Sequence, residues 1–324
     1  MKAQMSKVMT IKEVSSFLKQ HDNINILTHK NPDGDTLGSG FALVNFLRKM
    51  GKKANVLNTD PFPERYSFLY EGYSPMDFKE ECVIAVDVAD VQLLGHNLEE
   101  YAQEGKIDLC IDHHISNTSY AKQNFVDAGA SATCEAMYMI MDEMGTGIND
   151  IIAKCLYTGI ATDTGCFKYQ NTTPRTHIIA SELMKYDIDF ARVNRQMFDL
   201  KSKGRIMVEQ VVTSNMEFFC DDRCSMIVIT TDLINSSGIE SSEFEGLTSI
   251  TLQVEGVQIG LLVKQRDEDR FKISVRTTDE IDACAFCNQF GGGGHVRAAG
   301  CEIKGTLDEV KSKLINAVKG VLKA

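Results

Sequence analysis

The sequence has little that would place it in a membrane or outside the cell. Its 324 residues contain no apolar run long enough to span a bilayer, and residues 1–12 contain no signal-peptide core. The 10 cysteines have no regular spacing, so they do not predict a disulfide framework. Together these absences predict a cytoplasmic protein with reduced thiols and no membrane partner.

The chain also lacks a block of basic residues. Lysine and arginine number 34, against 45 aspartates and glutamates, which gives a net charge of −11. Proteins that hold long nucleic acid usually present a basic face. The composition therefore argues against long nucleic acid as a partner, and any nucleic-acid substrate should be short. Part of the acidic excess would be carboxylates that a metal ion neutralises.

The most informative stretch is His29-Lys-Asn-Pro-Asp-Gly-Asp35. It follows an apolar run at residues 24–27 that predicts a short buried strand, and it precedes a helical pattern from Gly38 to Met50. In an open parallel α/β sheet, ligands bind at such strand-to-helix loops. One imidazole and two carboxylates in a single loop could bind a divalent cation. A polar loop capped by aspartate is an equally open alternative for this stretch alone.

Two more predicted strands end in residues that bind metals. The run Cys82–Asp87 is apolar up to its final carboxylate, and the run Ile107–Asp112 is followed by His113-His114. A charged aspartate at the end of a buried parallel strand is energetically costly unless another group pairs with its charge. Asp87 or Asp90 could instead cap a helix, and Asp163, after a predicted helix, could be a turn residue. Repetition of the pattern at three strand ends favours a shared metal site.

Strands and helices alternate up to about residue 200. This alternation predicts an α/β domain over residues 1–200 with a doubly wound, mainly parallel sheet. A short polar and basic stretch places a linker at residues 201–215, and residues 216–324 predict a smaller α/β domain with a mixed sheet. Cys284 and Cys287 form a CxxC pair there, on a predicted helix. Without a second pair beside them, they are more typical of helix packing than of zinc or redox chemistry.

Four consecutive glycines, residues 291–294, precede His295 and Arg297. Glycines let backbone N–H groups approach an anion closely, and the imidazole and guanidinium supply charge-assisted donors. The pattern favours a phosphate-binding loop over a flexible interdomain loop. Arg276, at the end of a preceding predicted strand, is a further candidate, with a solvated arginine as the alternative.

These motifs together resemble those of a known family. In order, the chain contains four motifs similar to those of DHH phosphoesterases: His29-x-x-x-Asp33-x-Asp35, Val86-Asp87-x-Ala-Asp90, Asp112-His113-His114 and Ala161-Thr-Asp163-Thr-Gly165. The Gly-Gly-Gly-Gly-His-x-x-Ala-Ala-Gly stretch resembles the DHH-associated C-terminal substrate domain. The resemblance covers nearly the whole chain. Length and spacing are most similar to those of the nano-RNase / pAp phosphatase (oligoribonuclease) branch.

The resemblance implies a centre of two divalent ions, with manganese expected and magnesium or cobalt as substitutes. By position in the motifs, one ion would be held by His29, Asp33 and Asp87. The other would be held by Asp35, Asp87, His113 and Asp163, so that Asp87 bridges the pair. Two ions about 3.5–4 Å apart can clamp the attacking and leaving oxygens of a phosphoryl displacement and activate the attacking water.

The resemblance also implies roles for the other candidate residues. His114 would contact the scissile phosphate, and Asp112 would orient the histidines. A phosphate of the substrate would be held in the C-terminal domain by Gly292, Gly293, Gly294, His295, Arg276 and Arg297. The active-site cleft would then lie between the two domains.

The implied activity is hydrolysis of short RNA oligonucleotides (nanoRNA) to mononucleotides, together with dephosphorylation of pAp. The motifs leave open a cyclic or linear dinucleotide phosphodiesterase (c-di-AMP, pApA, pGpG) as the main role. A pyrophosphatase fits the glycine-rich tail less well. A nucleotide-binding regulator without catalysis would be expected to lack ligands, and none is missing. The oligomeric state is left open, with a homodimer as one alternative.

Overall fold

The computed structural model describes residues 7–244, 246–278 and 281–322. The chain divides into two compact units, the first ending at Leu200 and the second beginning at Lys201. Each unit has a six-stranded sheet and helices, so the predicted α/β class is confirmed. Within the described residues every cysteine is a free thiol.

No helix in the described part of the chain has the length and apolar character needed to cross a membrane.

A parallel sheet forms the centre of the first unit. Its strands are β1 (Lys7–Val8), β2 (Ile24–Leu27), β3 (Ala54–Leu57), β4 (Cys82–Val86), β5 (Leu109–Asp112) and β6 (Gln123–Val126). They lie in the order β1-β6-β5-β4-β2-β3, and every pairing is parallel. The chain runs from β2 outward to β3 and then returns to β4 on the other side of β2. Ligands bind at the carboxyl ends of strands beside such a reversal of strand order.

The helices of the first unit follow the predicted alternation. They are α1 (Ile11–Gln20), α2 (Gly34–Lys49), α3 (Thr133–Met144), α4 (Asp150–Asp163), α5 (Pro174–Leu183) and α6 (Phe190–Asn194), followed by a π-helical turn, Arg195–Asp199. Three 3-10 segments lie at Glu64–Leu69, Val91–Leu93 and His96–Ala102. Helix α2 begins earlier than the predicted start at Gly38, because the Asp33 carboxylate accepts hydrogen bonds from the N–H groups of Asp35 and Thr36 and caps the helix.

Both faces of this sheet are buried. Helices α1 to α4 cover one face, where Phe41 and Leu47 of α2 pack in the same core as Ile26 of β2. The other face is covered by the chain around the 3-10 segments Val91–Leu93 and His96–Ala102, where Leu94 and Leu98 lie in a core with strand residues. Tyr66 and Leu69 of the third 3-10 segment belong to the core on the helix side. The strands are therefore apolar in continuous runs, as expected for a parallel sheet covered on both sides. The second covering layer consists of 3-10 turns rather than long helices.

The second unit is built on a mixed sheet. Its strands are β7 (Glu217–Phe219), β8 (Cys224–Ile229), β9 (Ile259–Asp267), β10 (Arg270–Thr277), β11 (Gly293–His295) and β12 (Ala298–Lys304). They lie in the order β11-β12-β10-β9-β8-β7, with β8 and β9 parallel and the other pairs antiparallel. The helices are α7 (Lys203–Ser214), α8 (Thr231–Ser237), α9 (Ala283–Asn288) and α10 (Leu307–Leu322).

Helices cover both faces of the mixed sheet. Helices α9 and α10 pack on one face, where Cys287 is buried in the core and Cys284 packs against that core, as predicted for the CxxC pair. Helix α7 covers the other face through Val208 and Val212. Most of the predicted linker at residues 201–215 is therefore a helix that belongs to the core of the second unit.

Two segments of the second unit differ from the sequence prediction. The predicted helix from Ser242 to Leu252 consists of 3-10 segments at Ser241–Phe244 and Leu247–Leu252, and Glu245 lies outside the described residues. The glycine run enters the sheet as β11. A Cβ atom on Gly294 would lie 2.6 Å from the Cα of Ala299, so this glycine is needed for the close approach of β12.

Candidate metal centre

The four motifs of the first unit converge at the carboxyl ends of β2, β4 and β5. His29 follows β2, Asp87 follows β4, and His113 follows β5. Asp33 and Asp35 lie at the start of α2, and α4 ends on Asp163. Three overlapping groups of side chains have ligand atoms within 4.8 Å of one another: His29, Asp33 and Asp87; Asp35, His113 and Asp163; and Asp87, His113 and His114. The structure thus brings all six predicted metal ligands together.

The first group surrounds His29. Its Nε2 atom lies 3.7 Å from Asp33 Oδ1 and 3.6 Å from Asp87 Oδ2. Its Nδ1 atom lies 2.8 Å from the backbone oxygen of Lys30, to which it can donate a hydrogen bond. Burial lowers the pKa of His29, but the carboxylates of Asp33 and Asp87 outweigh burial and raise it to about 11. A divalent cation would compete with this proton for the Nε2 lone pair.

The second group surrounds His113. Its Nε2 atom lies 3.4 Å from Asp163 Oδ2 and 3.9 Å from Asp35 Oδ2. Its Nδ1 atom faces the backbone oxygen of Ala130 at 3.2 Å. A backbone acceptor at Nδ1 of a histidine is typical of metal ligands, because it orients the ring and leaves Nε2 as the ligand atom.

Asp87 belongs to the first group and, through the third group, also lies next to His113 of the second. Its Oδ2 atom faces His29, and its Oδ1 atom lies 3.8 Å from His113 Nε2. The residue is almost fully buried, and its backbone φ of 59° lies in the left-handed region, which few non-glycine residues adopt. One carboxylate with an oxygen turned to each group is the arrangement expected of a bridging ligand.

The buried carboxylates repel one another. Burial, followed by repulsion from Asp87, raises the pKa of Asp35 to about 7. Burial and repulsion from Asp35 raise the pKa of Asp163 to about 7, and burial is the main cause that raises the pKa of Asp87 to about 6. Buried like charges are costly unless a cation neutralises them. Carboxylate oxygens and imidazole nitrogens are donors that suit manganese or magnesium, so the residues fit a centre of divalent ions.

The start of α3 supports this cluster with donors that the sequence analysis missed. The N–H groups of Thr133 and Cys134 donate to the two oxygens of Asp35, at 2.6 and 2.9 Å. The Thr133 hydroxyl donates to Asp87 Oδ1 at 2.8 Å. Gly159 of α4 makes room, because a Cβ there would lie 2.8 Å from Asp35 Oδ1. The sequence carries little signal for these roles, since a threonine at a helix start is common in any protein.

Removing the Thr133 hydroxyl should weaken metal binding. We expect the Thr133→Val variant to bind manganese about 10–100-fold more weakly, because one oxygen of the shared Asp87 would lose its orienting partner. Isothermal titration calorimetry measures this change. The Thr133→Ser variant keeps the hydroxyl and should bind manganese like the wild type. Equal affinity in the valine variant would mean that the hydroxyl does not orient Asp87.

Asp112 holds His114 in a fixed orientation. The Asp112 Oδ1 atom accepts hydrogen bonds from the backbone N–H of His113 at 2.8 Å and from His114 Nδ1 at 2.7 Å. Its Oδ2 atom accepts one from Asn117 at 2.6 Å, a contact that the sequence analysis did not identify. Because Asp112 holds Nδ1, the other ring nitrogen, Nε2, is available to a ligand, and the His114 side chain is 43% exposed. The hydrogen bond to Asp112 raises the pKa of His114 to about 9 despite the opposing effect of burial.

Asp90 caps a helical segment, which is one of the two roles that the sequence left open for it. Its Oδ1 atom accepts a hydrogen bond from the Gln92 N–H at 2.9 Å and caps the 3-10 segment Val91–Leu93. It does not belong to any of the three groups of candidate ligands in the described part of the chain.

The candidate phosphate-binding residues lie at one end of the mixed sheet in the second unit. Arg276 and His295 both pair with Ala298 of β12, one from each neighbouring strand. Directly opposed residues of an antiparallel sheet present their side chains on the same face. Arg276 and His295 therefore flank the small side chain of Ala298 on one face. The exposed edge position of β11 also leaves part of its N–H groups unpaired within the sheet.

Arg297 and two of the glycines have structural partners that compete with the predicted phosphate contact. The Arg297 guanidinium donates to the backbone oxygens of Thr278 and Ile281, at 2.7 and 2.8 Å. A Cβ on Gly292 would lie 2.2 Å from the backbone oxygen of Gly300, so close packing accounts for Gly292 as it does for Gly294. Phosphate binding by these residues stays a prediction. The Arg276 guanidinium also donates to a backbone oxygen, that of Val275 at 3.0 Å, so His295 is the strongest member of the set.

The chain is similar to known proteins over almost its whole length. The DHH family, N-terminal domain, matches residues 23–160, and the DHHA1 domain matches residues 225–324. The bifunctional oligoribonuclease and PAP phosphatase NrnA of Thermus thermophilus is 31% identical, over 91% of this chain and 89% of that protein. The protein of the same name from Bacillus subtilis is 25% identical, over 90% of this chain and 92% of that protein. The chain therefore belongs to the DHH family of phosphoesterases, as the motifs predicted.

Solved structures show the same fold. The crystal structure of an exopolyphosphatase-related protein from Bacteroides fragilis has a TM-score of 0.84 and 25% identity, and the match covers 97% of each chain. The crystal structure of exonuclease RecJ bound to manganese has a TM-score of 0.51 and 13% identity, with 98% of this chain and 95% of that chain covered. The second likeness concerns the fold alone.

Proposed function

We propose that this chain is a metal-dependent phosphoesterase that hydrolyses short oligoribonucleotides to mononucleotides and removes a phosphate from pAp. The observation that carries the proposal is that Asp87 connects the two ligand groups, with one oxygen facing His29 and the other facing His113. The substrate class is supported by the NrnA relatives, whose names state oligoribonuclease and PAP phosphatase activities and which match about nine-tenths of the chain.

The centre would hold two divalent ions, and manganese is the ion we expect. One ion would be bound by His29, Asp33 and Asp87, and the other by Asp35, Asp87, His113 and Asp163. When bound, such ions lower the pKa of an attacking water and neutralise charge on the transferred phosphoryl group. Manganese is supported by the mixed carboxylate and imidazole donor set. It is also the ion bound in the crystal structure of exonuclease RecJ.

His114 would act on the phosphate itself. Because Asp112 holds the pKa of His114 at about 9, the imidazole is protonated at neutral pH. Its free Nε2–H would donate to an oxygen of the scissile phosphate and stabilise the charge that develops there. The same proton could pass to the leaving oxygen, which is general acid catalysis.

The second unit would bind a phosphate of the substrate. Arg276 and His295 project from one sheet face on either side of Ala298, and a phosphate between them could accept charge-assisted hydrogen bonds from both. Recognition of a terminal phosphate would favour short substrates. The net charge of −11 is in keeping with this, because a long polyanion would be repelled.

Replacing His295 should affect substrate binding rather than the chemical step. We expect His295→Ala to raise the KM for pApA by about 10–100-fold, the cost of a hydrogen bond to a charged group, with kcat unchanged. Steady-state kinetics with pApA measure both constants. Val296→Ala, at the exposed neighbouring position, is the control and should leave KM unchanged. A normal KM in the histidine variant would contradict the assigned phosphate contact.

A substrate panel tests the proposed function as a whole. Protein supplied with manganese would be incubated with pAp, pApA, a short RNA oligomer, a long RNA and c-di-AMP. We expect mononucleotides from pApA and the short oligomer, loss of one phosphate from pAp, and little cleavage of the long RNA. Rapid turnover of c-di-AMP with slow cleavage of the oligomer would instead support a cyclic-dinucleotide phosphodiesterase.

A further inference from the structure

An exposed aromatic ring lies on the turn that follows Asp163. Tyr169 is 61% exposed. A Cβ atom built on Gly165 would lie 2.4 Å from Cζ of Tyr169 and 2.6 Å from both Cε1 and Cε2. Because these three ring atoms are almost equally distant, Gly165 contacts the flat side of the ring. One face of the ring thus rests on a glycine, and the high exposure shows that much of the rest is open to solvent.

The backbone of the turn that carries this ring is held by hydrogen bonds. The N–H groups of Lys168 and Tyr169 both donate to the backbone oxygen of Thr164, at 2.9 and 3.0 Å. Cys166 and Phe167 adopt left-handed φ angles of 59° and 63°, which are uncommon for residues with a Cβ. Such strained conformations persist where the surrounding structure enforces them, often at ligand sites. The backbone that carries the ring is therefore held in place before any ligand binds, and Gly165 supports one face of the ring.

The same turn is tied to the metal centre. The side-chain amide of Asn171 donates to the backbone oxygens of both Asp163 and Ser131, at 3.2 and 2.9 Å. Asp163 contacts His113, and Gly165 is only two residues further along the chain. The Cα atoms of Asp163 and Gly165 can be no more than about 7.6 Å apart, since consecutive Cα atoms are separated by about 3.8 Å. The ring of Tyr169, which contacts Gly165, is therefore close to the backbone of Asp163, one of the candidate ligands.

Apart from its contact with Gly165, the Tyr169 ring makes few contacts that would stabilise the fold. Within the described residues, the Tyr169 side chain forms no hydrogen bond and packs against no other aromatic ring. It is not part of either hydrophobic core of the first unit. An aromatic side chain held by its backbone, open on one face and placed beside a phosphate-processing centre suits the stacking of a nucleobase.

We propose that Tyr169 stacks on a nucleobase of the nucleotide whose phosphate is cleaved. This inference rests on the proposed function and adds a base-binding residue to it. Stacking tolerates any base, because every base has a π-face, so Tyr169 would bind the substrate without selecting its sequence. One ring can stack on one base at a time, which suits an enzyme that acts on short substrates.

The test compares Tyr169→Ala and Tyr169→Phe on three substrates. These are pApA and two analogues in which one or the other adenosine is replaced by an abasic ribose. For pApA we expect Tyr169→Ala to raise KM by about 5–100-fold, the usual cost of losing one base stack, with kcat little changed. Tyr169→Phe keeps the ring and should match the wild type. Both variants should melt at the wild-type temperature, because the side chain is exposed.

The abasic analogues separate base stacking from an effect on the turn. For the analogue that lacks the stacked base, the wild type should already show the raised KM, and Tyr169→Ala should add nothing to it. The other analogue should stay as sensitive to the variant as pApA. An equal rise in KM for all three substrates, or no rise for pApA, would overturn the inference while leaving the proposed function intact. Wild-type protein that hydrolyses none of the three would contradict the proposed function and, with it, the inference.

Discussion

Replacing Asp87 with asparagine should abolish hydrolysis of pApA. We expect kcat/KM to fall by at least about 1,000-fold, more than the about 10–100-fold cost of losing a group that only orients a ligand. The reason is geometric, because one oxygen of Asp87 faces His29 and the other faces His113. Asparagine is a suitable replacement, since it tolerates the left-handed backbone at this position better than alanine does. Metal-saturated steady-state kinetics measure the loss.

The same variant should be more stable than the wild type when both are free of metal. Burial is the main cause that raises the pKa of Asp87 to about 6 in the folded chain, above the usual aspartate value. The folded state therefore binds this proton more tightly than the unfolded state does. Stability from this group is then lost as pH rises from about 4 through 6. At pH 7 the asparagine variant avoids that cost, so it should melt at a higher temperature in the presence of a chelator.

Asp90 provides a matched control for both measurements. It lies three residues beyond Asp87 in the same loop, but it caps a 3-10 segment and does not belong to the ligand groups. Asp90→Asn should therefore retain wild-type activity. Substantial pApA hydrolysis by Asp87→Asn, or a comparable loss in Asp90→Asn, would show that Asp87 is not the shared ligand.

Replacing His114 should slow the chemical step without weakening metal binding. We expect His114→Ala to lower kcat by about 100- to 10,000-fold, the range typical of a lost general acid. Manganese affinity should change little, because the proposed ligand sets do not include His114. Kinetics and calorimetry on the same preparation separate the two effects. His96, an exposed histidine at the start of the 3-10 segment His96–Ala102, supplies the control variant His96→Ala, which should retain full activity.

The pH profile gives an independent check on the role of His114. The hydrogen bond to Asp112 raises the pKa of His114 to about 9, so the protonated form is present below that pH and is lost above it. Wild-type kcat should therefore fall as pH rises through about 9. In Asp112→Asn the carboxylate that raises this pKa is gone, and the fall should occur at lower pH. An unchanged profile in Asp112→Asn would contradict the assignment of the proton to His114.

The convergence of three candidate metal ligands could be predicted from the sequence because their signal is local. His29, Asp87 and His113 each follow an apolar strand directly, and parallel strands place their carboxyl ends at the same edge of the sheet. Residue type and position along the strand were therefore sufficient to bring these three side chains together, whereas the full ligand sets depended on the resemblance to the family motifs. The supporting donors could not be predicted in this way. Thr133 and Cys134 act on Asp35 through backbone N–H groups, which every residue has, and only the packing of α3 brings them there.

The parts of the fold that the sequence analysis missed depend on tertiary contacts. Strand β6 contains Gln123 and Asn124, so it lacks the apolar run that marked the other parallel strands. The glycine run was expected to form a loop, but Gly293 and Gly294 pair with β12 as part of β11, and phosphate binding there stays a prediction. Gly294 is required there because Ala299 of the neighbouring strand approaches too closely for a Cβ. A close contact between two strands leaves no pattern in the sequence of either one.

The most direct test of the central claim is a manganese titration of metal-stripped protein in which bound metal and pApA hydrolysis are followed together. The paired ligand groups predict two manganese ions per chain and no hydrolysis until the second site fills. Asp87→Asn should fail to reach the active state at any manganese concentration. Full activity with a single bound ion, or hydrolysis by the metal-stripped protein, would contradict a phosphoesterase centre built on the shared Asp87.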